Sequence, residues 1–103
     1  MNKQERAALV LDQFNAGIKN GTAIAGIVIK KFPDGFSSET GIEVRKITDN
    51  ALAHVINKLS ANGIERKYRK PFADGFNKGL AKTYAEYAKE CASRENLRTN
   101  EIE

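Results

Sequence analysis

Apolar residues in this chain return at every third or fourth position through most of its length, and a few turn signals cut that pattern into segments. A side chain reappears on one face of an α-helix after three or four residues, so this periodicity points to packed amphipathic helices. Over residues 3–19 the stripe is Ala7, Val10, Leu11, Phe14 and Ile18. Asn2 is placed to cap that helix, and Asn20-Gly21 to stop it. The cleanest stripe is Ala51, Leu52, Val55, Ile56 and Leu59, which predicts a helix over 48–60. Thr48 would be its N-cap, Asp49 would complement the helix dipole, and Asn62-Gly63 would end it. Pro71 suits the first turn of a last helix, 72–94, with Phe72, Phe76, Leu80, Tyr84, Tyr87 and Cys91 along one side. Gly75 and Gly79 weaken that helix by ~1 kcal/mol each relative to alanine. They also let a neighbouring helix come close.

Three segments read two ways. Thr22 can cap a helix over residues 22–32 that buries Ile24, Ile27, Val28 and Phe32, yet the β-branched run there also suits a strand. Helix is the preferred reading. The Pro33-Asp34-Gly35 turn that follows either stops a helix or closes a hairpin. Ile42 and Val44 alternate with polar neighbours, which suggests a short strand over 42–47. Residues 64–70 are a helical turn or a strand that pairs with it. The expected architecture is therefore mainly α: one compact four-helix domain over 1–103, with room for a two-stranded β element in a winged-helix-like arrangement. Residues 96–103 are expected to be a frayed tail.

The chain has 103 residues, of which 41% are apolar, enough for one core and too few for two. The most apolar run, 23–29, is far shorter than the roughly 18 residues a membrane span requires. No charged region followed by a long apolar one marks a secretory signal. Cys91 is the single cysteine, which excludes an internal disulfide framework and fits a reducing setting such as cytoplasm or nucleoid. His54 is the single histidine. These two residues cannot supply an ordinary zinc ligand set, and no Gly-x-x-x-x-Gly-Lys loop cradles a phosphate. The reading is a non-enzyme with no cofactor and no metal.

Charge is the most informative functional signal. Residues 64–82 hold six cations and two acids, a net of +4, whereas 1–63 sum to +2 and 83–103 to −2. Arg66, Lys67, Arg69 and Lys70 surround Tyr68 and precede Phe72 and Phe76. Cations neutralise phosphates, and exposed aromatic rings stack on bases. Residues 47–59, followed by Asn62-Gly63-Ile64 and the basic stretch, resemble the recognition helix and wing of winged-helix regulators. That resemblance implies base contacts from Asn50, His54 and Asn57, with Lys58 beside Arg66 on the phosphates.

Residues 29–39, Ile-Lys-Lys-Phe-Pro-Asp-Gly-Phe-Ser-Ser-Glu, resemble the first helix end and turn of ProQ/FinO RNA chaperone domains, whose basic strand would then correspond to residues 43–47. The family's later Arg-rich hairpin has no counterpart before the last helix, so no functional residues are carried over. The expected function is a small regulatory or accessory module that binds DNA or RNA. The alternative is a protein-binding adaptor or inhibitor of the phage or plasmid accessory type. A homodimer through the aromatic and alanine-rich 72–94 helix is a further expected association.

Overall fold

Asn2 opens the first helix: its side chain accepts a 2.8 Å hydrogen bond from the Glu5 N–H, one of the donors a helix start leaves free. In the computed structural model, which describes the backbone of residues 1–102 and the side chains of residues 1–94, α1 then runs unbroken over Lys3–Lys31. The expected stop at Asn20-Gly21 does not occur, and the separate 22–32 helix is the second half of α1. Gly21 keeps a helical backbone. Its function is packing, because it is buried with Gly17, Ala25 and Val28 in one stripe of α1.

That stripe meets α3, Arg66–Ile102, along a line of backbone contact. A Cβ placed on Gly17 would overlap the Phe72 carbonyl, and one on Gly21 the Phe76 carbonyl. From the other side, a Cβ on Gly75 would overlap the Phe14 carbonyl, and one on Gly79 the Ile18 carbonyl. Each helix thus contributes a Gly-x-x-x-Gly pair to the crossing. Residue numbers rise together on the two helices, so α1 and α3 run parallel. The buried aromatics of α3 are Tyr68, Phe72, Phe76 and, farther along, Tyr87, with 8%, 4%, 1% and 6% of their surface exposed. These aromatics and the α1 stripe are the core.

The chain returns between them as α2, Ser38–Ala61. Tyr87 holds the first connection: its hydroxyl donates to the Phe32 carbonyl (2.8 Å) and accepts from the Gly35 N–H (3.0 Å). Gly35 has φ = 98°, the left-handed region that favours glycine. Phe36 packs edge-on against Phe32 and Tyr84, and it lies 5.4 Å from the Tyr87 ring. Ser37 caps α2 in a reciprocal box with Thr40: Thr40 N–H to Ser37 Oγ at 3.2 Å, Ser37 N–H to Thr40 Oγ1 at 2.7 Å.

The expected strand at 42–47 is therefore helix. Ile42 is 62% exposed, and Val44 instead begins the half-buried α2 stripe. Thr48, expected as a cap, lies inside the helix, and its hydroxyl donates back to the Val44 and Arg45 carbonyls. The end at Asn62-Gly63 is where it was expected. Gly63 (φ = 81°) donates to the Ser60 carbonyl and Ile64 to the Leu59 carbonyl, the paired bonds of a Schellman motif.

Residues 66–70 are helix as well. The Glu65 carbonyl accepts from the Tyr68 and Arg69 N–H groups, so α3 begins a turn and a half before Pro71. Pro71 then sits inside the helix, where its missing N–H leaves the Lys67 carbonyl without its usual helical donor. Tyr68 and Phe72, four residues apart, are both buried and hold that first turn in place.

Among the described residues there are three helices and no strand, so neither the four-helix count nor the β element and winged-helix arrangement holds. The mainly α reading does. The 72–94 helix lies within α3, and its aromatic stripe is spent inside the chain. The expected frayed segment, 96–103, falls on residues whose side chains lie outside those described. The molecule measures 65 × 26 × 16 Å, and α2 covers the α1–α3 pair while fully burying only Thr48 of its own residues.

Two glycines of α1 give opposite outcomes on substitution. Gly21→Ala forces α1 and α3 apart and lowers stability by about 2 kcal/mol, in the range of core overpacking. Gly26→Ala meets nothing within 4 Å and raises stability by up to about 1 kcal/mol. Urea denaturation of both variants checks the pair.

Candidate nucleic-acid interface

Arg66, Lys67, Arg69 and Lys70 occupy the first five positions of α3 around the buried Tyr68. At 100° per residue, Arg69, Arg66, Lys70 and Lys67 follow one another around an arc of about 160°. The burial of Tyr68 and Phe72 turns that arc away from the core. All four side chains line one open groove of ≈ 720 Å³, which Ile56 of α2 and Ala73 complete. Its floor is aliphatic, because arginine and lysine stems cover apolar surface while their charged ends stay in water.

The four cations differ in their surroundings. Arg66 is exposed and forms no ion pair among the described residues. Lys67 Nζ lies 3.3 Å from Glu65 and 5.2 Å from the centre of the Tyr68 ring. Lys70 Nζ lies 3.1 Å from Asp74. Both ion pairs are between side chains more than half exposed, and such pairs contribute roughly 0–1 kcal/mol. They do not remove the cations from competition for another anion. Arg69 is half-buried, and its Nε is shielded from water with no acceptor among the described residues. No acid stands in the first turn of α3, so the positive end of the helix dipole adds to the cations.

The other expected contacts lie elsewhere. Tyr68, Phe72 and Phe76 are core residues and offer no face on which a base could stack. Asn50, His54, Asn57 and Lys58 are all exposed on α2, as the stripe implied. They point away from the groove wall: Asn57 lies about 100° around α2 from Ile56, Asn50 about 120°, and His54 and Lys58 about 160°. Residues 38–46, where the helix preceding a winged-helix recognition helix would have to lie, are the start of α2 itself. The structure gathers four of the eight expected residues and leaves the other four on a separate face.

Two other features have little chemistry. Cys91 is half-buried in a groove of ≈ 620 Å³ with Phe36, Tyr84 and Tyr87. Burial, and after it the Cys91 thiol, pushes the Tyr87 phenol above its ordinary pKa, and burial raises Tyr84. Among the described residues no group of three histidine, cysteine or acidic side chains could hold a metal ion. No described helix is long and apolar enough to cross a membrane.

Sequence reasoning missed the groove wall, Ile56, and the two acids. The i,i+4 spacing of Lys70 and Asp74 was a visible signal for one pair. Ile56 was assigned to the core stripe, and its place beside α3 depends on the tertiary fold. No protein-family model matches the chain, and no curated protein or solved structure matches it either.

Glu65→Gln and Asp74→Asn should each leave thermal stability within ~0.5 kcal/mol of the parent, because exposed ion pairs contribute little. A loss beyond about 1 kcal/mol in a denaturation curve would make these acids structural.

Proposed function

We propose that this chain is a small nucleic-acid-binding module, regulatory or accessory in role, that grips phosphates with Arg66, Lys67, Arg69 and Lys70. The observation that carries the reading is the crowding of four cations at the start of α3, around one open and mostly apolar groove. Two conditions support it. The positive end of a helix reinforces the cations. The two ion pairs are weak enough to exchange for phosphate. The buried aromatics and the distant Asn50, His54 and Asn57 favour recognition of the phosphodiester backbone over recognition of bases. A cytoplasmic setting, with access to either DNA or RNA, fits this role.

A protein-docking adaptor or inhibitor is the second reading. Leu11, Ile27 and Ile42 favour it, with 57%, 60% and 62% of their surfaces exposed on α1 and α2. The side of α3 that carries Ala81, Ala85, Ala88 and Ala92 is also exposed and suits association with a second copy.

Binding to labelled DNA and RNA at two salt concentrations separates the readings. Four phosphate contacts predict a fall in affinity of about 50-fold for single strands and about 150-fold for duplex between about 50 and 200 mM salt. Replacing the four cations with alanine should abolish most of the low-salt binding. A salt-independent interaction, or one that survives the four substitutions, overturns the proposal.

A further inference from the structure

The groove uses four of the six cations in residues 64–82, and the remaining two are not scattered. Arg66, Lys70, Asp74, Lys78 and Lys82 follow one another at intervals of four residues, and every one is exposed. Residues four apart on a helix form a ridge that climbs about 6 Å and turns about 40° around the axis at each step. The row from Arg66 to Lys82 is therefore a spiral of four cations that climbs about 24 Å while turning about 160° around α3, with one acid in the middle. Lys78 leans toward α1, its ammonium 5.5 Å from the centre of the Phe14 ring, and remains exposed there. Beyond Lys82 the same row continues as Glu86 and Glu90. Both are exposed, and Glu90 lies 3.8 Å from Arg94. The change of sign gives the row a definite end.

We infer that a nucleic-acid strand lies along α3, from the groove at Arg66 to Lys82, and is not held at the helix tip alone. This rests on the phosphate-binding reading proposed above and extends it to the length and direction of the bound strand. Because the row turns about 160° as it climbs about 24 Å, a flexible single strand can follow all of it, whereas a stiff duplex meets only part. Asp74 interrupts the row and holds Lys70 at 3.1 Å. A passing phosphate must take Lys70 from Asp74, so this acid limits affinity.

Fluorescence anisotropy tests the inference with labelled oligothymidylate and oligouridylate of about 4 and about 16 nucleotides, and a duplex of about 16 base pairs. The double variant Lys78→Ala/Lys82→Ala should bind the longer strands about tenfold more weakly at low salt. Its salt slope on the single strands should be shallower by about 1.4. The shortest strands should bind it as they bind the parent. Asp74→Asn should bind the longer strands several-fold more tightly, a gain that a damaged fold would not produce. Comparable results with the DNA and RNA strands would identify the shared backbone as the ligand, whereas retention of only one would name the source.

If the double variant binds the longer strands like the parent while the four-cation variant does not, the track is wrong and the groove stands. If Asp74→Asn weakens binding, the role given to that acid is wrong. Absence of binding to every probe removes both the groove and the track.

Discussion

The structure depends on the direct approach of two backbones. Gly17 and Gly21 on α1 and Gly75 and Gly79 on α3 leave no side chain between the helices, and each faces a carbonyl of the other helix. Glycine inside a helix is unfavourable by roughly 1 kcal/mol relative to alanine, so four of them at one crossing are a considerable local penalty. The compensation is close contact along the crossing, with Phe72 and Phe76 filling the space around it. Close-packed atoms gain dispersion energy that a gap would forfeit. A small domain with one narrow core has few other ways to hold two long helices in a fixed register.

That register determines where the charge goes. Tyr68 and Phe72 extend the buried stripe of α3 to its first turns, and the arginines and lysines between them are turned outward together. The groove thus follows from the same contact that makes the core. α2 contributes only a wall, through Ile56. It is held by its two ends, the Tyr87 bonds at Phe32 and Gly35 and the Schellman turn at Gly63, more than by buried surface along its length. Local stability follows buried contact, so the wall is the less anchored side of the groove and the α3 turns that carry the cations are the better anchored one.

Much of this was legible in the sequence, and the failures have a common cause. The helical stripes, the cap at Asn2, the end at Gly63 and the cluster at 66–70 could be read because each depends on neighbours within a few residues. Gly21 was misread because Asn-Gly is a local stop signal, whereas its role is set by a carbonyl more than fifty residues away. Residues 42–47 alternate like a strand, yet the Ser37–Thr40 box starts a helix ahead of them and Ile42 tolerates exposure. Pro71 was given the helix start because it is best tolerated there. The burial of Tyr68 outweighs that preference and extends α3 past it. The aromatic residues near the cations were read both ways, and only the crossing with α1 decides that they are core. The convergence of Asn50, His54 and Asn57 on the cations required a winged-helix geometry that the continuous α2 removes.

The start of α3 concentrates charge of the sign that the helix dipole disfavours. α1 has Glu5 in its first turn and Lys30 and Lys31 in its last. α2 has Glu39 in its first turn and Lys58 in its last. The first turn of α1 also holds Lys3 and Arg6, whereas α2 follows the arrangement that the helix dipole favours, an acid at the start and a base at the end. α3 reverses it, with cations in the first turn and no acid there. Each misplaced charge near a helix end is unfavourable by roughly 0.3–1 kcal/mol at low ionic strength. Solubility alone could be had with the same lysines further along the helix at no such cost. Four cations fall in the first five positions of α3, offset there only by Glu65 just before the helix, and an external anion would relieve that crowding. The anion that could relieve several neighbouring cations at once is a polymer of phosphates, and the row from Arg66 to Lys82 has the spacing to follow one.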